Sequence, residues 1–210
     1  MYLILKTRFL SALLLCSLAM NSYGDQQPLE QLRHFLKNTS SLSADFKQNL
    51  INEAGDVLQT SFGNFYLQRP GKFRWDYNKP FQQQIISTAG KVWFYDTDLQ
   101  QVTVKKLDAS IGSTPALLLS GSVALEDNYQ IEKQGIEGDI YWIKLIPKAH
   151  DSSFKYILIG LEKGQLSGME LNDNFGQLTR VYFSNIKLNP RIEAKMFEFI
   201  APKGVDVFAE

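Results

Sequence analysis

The sequence predicts one mainly β domain, an antiparallel barrel or sandwich. Three observations carry that expectation. Aromatic residues make up 12% of the 210-residue chain, and most of them stand in runs of alternating apolar and polar positions, the period-two pattern of a half-buried strand. These runs recur at short spacing, with Gly, Pro, Asn or Asp between them, as tight turns between antiparallel strands require. No fixed-period repeat or low-complexity linker divides the chain, and its length suits one domain with a real core.

The chain opens on a signal-peptide pattern over residues 1–24, which leaves a mature domain of residues 25–210. Lys6 and Arg8 precede an apolar run from Phe9 to Met20, and Ser22-Tyr23-Gly24 places small residues where a signal peptidase reads. That run is too short for a comfortable membrane span. Cys16 is the single cysteine. As a lipidation site it would need a small residue before it, and Leu15 stands there, so the cysteine is expected to leave with the signal peptide. The mature chain then has no disulfide, and its stability must come from burial and sheet hydrogen bonds. Losing Lys6 and Arg8 from a chain with 22 basic and 22 acidic groups leaves a formal charge of −2. No large basic field exists to hold a phosphate backbone, so nucleic acid is not an expected partner.

Residues 28–41 begin with Pro28 and carry Leu29, Leu32, Phe35 and Leu36 at helical spacing, with His34 off the stripe. Period two follows at once: Leu42, Ala44, Phe46, Gln48 and Leu50 share one face of a first strand. The stretch Gly63 to Tyr77 is a hairpin around Pro70-Gly71. It places Phe65, Leu67 and Arg69 on one face of its first strand and Phe73, Trp75 and Tyr77 on one face of its second. An Arg closing an apolar face has two readings. Its planar fork of donors can latch several carbonyl oxygens, or its head can sit in water over a buried stem. Further strands are expected at 83–88, 91–96, about Leu99–Leu107, and in the five runs from Tyr129 to Asn189. The total is about 11. Between them DASIGSTPALLLSGS breaks the alternation. Ser113 or Thr114 caps, Pro115 starts and Gly121 ends a helix of barely two turns, apolar on nearly all sides. So short a helix is not stable in water and must dock on the sheet. Phe197 and Phe199 alternate near the end, before Pro202 and Gly204.

The usual signatures of catalysis are missing. The mature chain has no cysteine and two histidines, His34 and His150, neither in a metal-spaced group, and no nucleophile elbow or phosphate-binding glycine loop. No enzyme, metal or cofactor is therefore expected. Asp96 and Asp98, and Asn172 to Gly176, read as turn residues rather than calcium ligands. Met169 and Met196 read as core filler.

Across the mature chain the residues resemble the periplasmic outer-membrane lipoprotein carrier proteins, LolA. The resemblance is carried by Leu42, Phe46 and Gln48; Arg69-Pro70; Phe73-x-Trp75; and Lys91-Val92-Trp93-Phe94-Tyr95-Asp96. It continues through Gln101-Val102-Thr103, Thr114-Pro115 with Leu118, and Phe197-x-Phe199-x-x-Pro202-x-Gly204-Val205-x-Val207. It implies a mainly β, unclosed antiparallel half-barrel with a short helical lid. The interior would accept acyl chains, lined by Phe46, Phe65, Leu67, Phe73, Trp75 and Tyr77. Arg69 would latch carbonyls of a lid formed by Pro115, Ala116, Leu117, Leu118 and Leu119. Such a protein is a monomeric periplasmic chaperone. It takes acylated lipoproteins from an inner-membrane ABC-type transporter and gives them to an outer-membrane receptor. The same fold also serves as such a receptor, and an extracytoplasmic hydrolase is a more distant alternative. One position departs from the pattern: the residue after Pro115, which can be a large aromatic in the family, is Ala116.

Overall fold

The structure, a computed structural model, describes residues 27–88, 90–107, 116–121, 125–150 and 152–209. The predicted signal peptide, Cys16, Ser113, Thr114 and Pro115 lie outside the described residues. Helix α1 (Gln27–Asn38) leads into β1 (Ser41–Ile51), β2 (Val57–Gln68), β3 (Lys72–Lys79), β4 (Gln83–Thr88), β5 (Lys91–Asp96) and β6 (Gln101–Lys106). Two one-turn helices follow, α2 (Ala116–Leu119) and α3 (Leu125–Asn128). Then come β7 (Tyr129–Glu137), β8 (Ile140–Pro147), β9 (Phe154–Glu162), β10 (Gln165–Asp173) and β11 (Leu178–Leu188). A 3-10 turn (Ala194–Phe197) and β12 (Asp206–Ala209) close the chain.

The strands form one 12-stranded sheet in the order β12-β6-β5-β4-β3-β2-β1-β11-β10-β9-β8-β7. Its two ends, β12 and β7, do not pair with each other, so the barrel is open as expected. The eleven anticipated strands are β1 to β11. The twelfth corrects that tally, and it runs parallel to β6 rather than antiparallel. Four exposed residues without alternation carry no strand signal of their own; an unpaired edge supplies the partner. Phe197 and Phe199 are not a strand either. Phe197 is buried in the 3-10 turn, and Phe199 packs on the outward rings of Trp93 and Tyr95 at 5.3 and 5.7 Å between centroids. Tyr95, Val102 and Val104 thus make a small second core on the outer face.

The main core lies on the inner face, where Leu42, Ala44 and Phe46 of β1 meet Phe65 and Leu67 of β2, and Leu32 and Phe35 of α1 close over it. His34 points off that stripe and is exposed, as anticipated. The join between α1 and β1 is pinned by Asn189, just beyond β11. Its Oδ1 accepts from the Ser40 backbone N–H at 2.7 Å, and its Nδ2 donates to the Asn38 carbonyl at 3.1 Å. This anchor fixes where the last carbonyls of α1 point.

Gly63 of β2 has a packing role. It stands opposite Phe46 on one side and Tyr77 on the other. A Cβ there would lie 1.8 Å from the Asp76 carbonyl oxygen and 2.7 Å from Cε1 of Phe46. The missing side chain lets the Phe46 ring lean across β2 to reach Trp75 and Tyr77, at centroid distances of 5.1 and 5.0 Å. Gly63→Ala is expected to cost about 3 kcal/mol, because neither backbone nor ring can yield cheaply; urea unfolding monitored by tryptophan fluorescence measures it.

Candidate functional site

Alternation along β3 sends Phe73, Trp75 and Tyr77 to the same side, and there they line an apolar cavity of ≈ 210 Å³. Met169 and Leu171 of β10, with Thr179 and Val181 of β11, form the facing wall. Ile85, Phe94 and Phe154 complete the sides, and Ala116 of α2, the helix expected to be the lid, also lines the cavity. The six expected lining residues therefore separate. Phe73, Trp75 and Tyr77 border the empty volume. Phe46 stands behind them, in ring contact with Trp75 and Tyr77. Phe65 and Leu67 are fully buried in the closed core and do not line the cavity. Phe65 is enclosed by Trp75 and Phe183, with ring centroids 4.7 and 5.9 Å away.

Sequence reasoning missed the far wall. Met169, read as core filler, is fully buried and also faces the cavity, a place where a flexible thioether can adjust to different contents. The small side chain of Ala116 leaves volume that a large aromatic at that position would take.

Arg69 follows the last residue of β2, beneath the lid. Its Nε donates to the Leu119 carbonyl at 2.8 Å. Its Nη1 donates to the carbonyls of Leu36 at 2.8 Å and Phe35 at 3.2 Å, and to that of Thr39. The guanidinium carbon lies 5.2 Å from the centroid of the Phe35 ring. The expectation of bonds to lid carbonyls is thus refined: one bond reaches the lid, and three reach the end of α1. Physically the choice is sound, since the last carbonyls of a helix lack intrahelical donors and carry partial negative charge. Desolvation pushes the pKa of Arg69 down to about 10, which leaves it cationic at neutral pH. Its Nη2 is buried with no hydrogen-bond partner among the described residues.

The hairpin turn holds the lid at a second point. Gly71 N–H donates to the Ser120 carbonyl at 3.1 Å, and the Ser120 hydroxyl donates to the Leu117 carbonyl at 2.7 Å. All four residues of α2 are buried. Gly121 ends the lid with φ of +69°, and a Cβ there would sit 3.1 Å from Cδ of Arg69. Both conditions favour glycine. Helix α3 is tied to α1 instead: Arg33 Nε and Nη2 each donate to Glu126 Oε1 at 3.2 Å.

At the opposite end of the cavity the Tyr77 hydroxyl donates to Gln48 Oε1 at 2.9 Å. Burial pushes the pKa of this phenol up, so it stays protonated. Outside the cavity the other candidates have local roles. Asp96 Oδ1 accepts from the Leu99 N–H at 2.9 Å, and Asp173 Oδ1 accepts from the Phe175 N–H at 2.8 Å; both are turn contacts. His34 and His150 are exposed.

Comparison with known proteins gives consistent results. The sequence profile described as outer membrane lipoprotein carrier protein LolA matches residues 37–200. An outer-membrane lipoprotein carrier protein of Methylococcus capsulatus is 55% identical over 97% of this chain and 98% of its own. One from Nitrosospira multiformis is 43% identical over 85% of this chain and 87% of its own. Among solved structures, an uncharacterized conserved protein from Thermus thermophilus superposes with a TM-score of 0.55 at 14% identity, over 87% of this chain and 98% of its own; that likeness concerns the fold alone.

Replacing Arg69 by Leu removes four charge-assisted hydrogen bonds at once. In hydrogen exchange the Gly71 amide, bonded to the lid, should then exchange roughly 10- to 100-fold faster, the scale of one such bond. The Phe46 amide in β1 should be unchanged.

Proposed function

The chain belongs to the LolA family of outer membrane lipoprotein carrier proteins. From that premise we propose that it is a soluble periplasmic chaperone that shields the acyl chains of lipoproteins between two membranes. The supporting observation is an apolar cavity bordered by a buried one-turn helix that Arg69 and the Gly71 amide tie to the hairpin. Residues 1–24 would direct export, and residues 25–210 would form the working domain. An inner-membrane ABC-type transporter would load the cargo, and an outer-membrane receptor would accept it.

Closed, the cavity of ≈ 210 Å³ falls below the roughly 300–1,000 Å³ of pockets for drug-sized ligands. Several acyl chains therefore require the lid to leave. Burial gains about 0.8 kcal/mol per methylene, which would make loading close to irreversible unless closure opposed it. The Arg69 latch supplies that opposition. Its bonds stabilise the empty, closed form, while its desolvated charge and unpaired Nη2 keep the gain modest. A ligand shifts such an equilibrium only by its differential affinity for the two forms. Cargo affinity is thus gross burial less the free energy of opening, and a receptor with its own apolar site can compete.

Three measurements check this reading. Native mass spectrometry of the purified chain with a tripalmitoylated cysteinyl lipopeptide should give a 1:1 complex; no complex would end the carrier reading. Arg69→Leu should bind the same lipopeptide about tenfold more tightly and release it more slowly, because one to two kcal/mol of opposing closure is gone. Intact mass of the periplasmic form should also place its amino terminus at Asp25, without acylation.

A further inference from the structure

Beside the inner cavity lies a second hollow that the carrier reading does not use. It is a groove of ≈ 470 Å³ that continues the inner face across β1 to β5, where the paired residues Gln48 and Ser61, Tyr77 and Gln83, and Gln83 and Asp96 share one side, and Gln48 and Tyr77 line both spaces. Their mutual hydrogen bond is the wall between them. The chemistry changes across that wall. Inward are Phe73, Trp75, Met169 and Val181. Beyond it are the polar side chains of Gln59, Ser61 and Gln83, the carboxylates of Asp96 and Asp98, and Phe81 and Leu99, which are 62% and 70% exposed. The lid and Arg69 close the far end, next to Phe73, so β3 runs from the latched end to the groove.

We propose that this groove is a head-group subsite, and that the Tyr77–Gln48 pair recognises the ester and amide carbonyls at the polar end of bound acyl chains. The inference rests on the carrier reading and adds an orientation: tails toward Arg69, carbonyls at Tyr77, peptide outward. A carbonyl carried into an apolar cavity without a donor loses its hydrogen bonds to water and gains none. Along the cavity wall, polar side chains occur at Gln48, Tyr77 and Thr179. Without cargo, the Tyr77 hydroxyl and the Gln48 carboxamide satisfy each other. With cargo, the hydroxyl can turn to a carbonyl, and the carboxamide can donate through Nε2 to a second. Burial keeps the phenol protonated, so it remains a donor. The amides of Gln59 and Gln83 and the hydroxyl of Ser61 suit uncharged ester and amide groups, Asp96 Oδ1 is taken by the Leu99 N–H, and Phe81 and Leu99 can cover the adjoining methylenes. Continuity with the cavity selects the cargo as occupant of these exposed apolar side chains.

The test compares a tripalmitoylated cysteinyl lipopeptide with its dialkyl-ether analogue of equal chain length, both titrated into the full mature chain. Tyr77→Phe keeps the ring that packs on Phe46 and Trp75 and removes only the hydroxyl. It should weaken the ester ligand about tenfold and the ether ligand less than twofold, the effect of one hydrogen bond. Gln48→Met, similar in volume, should do the same, and it carries the test if Tyr77→Phe does not fold. Equal losses for both ligands, or no loss for either, would overturn the head-group subsite and return Phe81 and Leu99 to a protein partner. Failure of the unaltered chain to bind either ligand would instead refute the carrier reading.

Discussion

A buried guanidinium held by backbone carbonyls is the constraint on which this molecule turns. Arg69 joins three parts of the chain: the β2–β3 hairpin, the end of α1 and the end of α2. Its hydrogen-bond partners are backbone dipoles rather than a carboxylate. An ion pair broken in a dry interior leaves a stranded negative charge, whereas released helix carbonyls can be rehydrated. In the proposed carrier cycle this directional contact defines the closed state and is weak enough to be undone.

The cavity depends on that closure and also on an absence. The Phe46 ring crosses β2 because Gly63 has no side chain, and so Phe46, Trp75 and Tyr77 pack as one aromatic cluster along one wall. Phe65 and Leu67, one strand over, complete the solid core that supports this wall. The hollow lies between this wall and Met169, Leu171, Thr179 and Val181 of β10 and β11, with Ala116 of α2 at its border. Close packing elsewhere is what lets the hollow persist.

The outer face tells a complementary story. The 3-10 turn at Ala194–Phe197 and the following strand lie against β3 to β6, with Arg74 Nη1 donating to the Met196 carbonyl at 3.4 Å. The strap covers Trp93 and Tyr95, whose outward position follows from the same alternation that sends Val92 and Phe94 inward. It also pairs with an edge that would otherwise stay open.

Much of this was legible in one dimension. Parity alone assigned Phe73, Trp75 and Tyr77 to one side of β3, and the Pro70-Gly71 turn put Arg69 at its end, because side-chain alternation is a property of the local backbone. Apolar character all round the ALLLS segment called for burial, and all four residues of α2 are buried. Other facts are properties of distance. The partners of Arg69 lie 30 to 50 positions away, so nothing in its neighbourhood distinguishes three helix-end carbonyls from water. Whether an inward residue meets another side chain or an empty space depends on how strands remote in sequence come together, which left Phe65, packed on Trp75, and Leu67 in solid core and set Trp75 and Met169 on the cavity. The parallel pairing of β12 required a free edge to exist first. Sequence determined which way each side chain faces; only the assembled sheet decided what it faces, because that is set by packing between segments that no local pattern records.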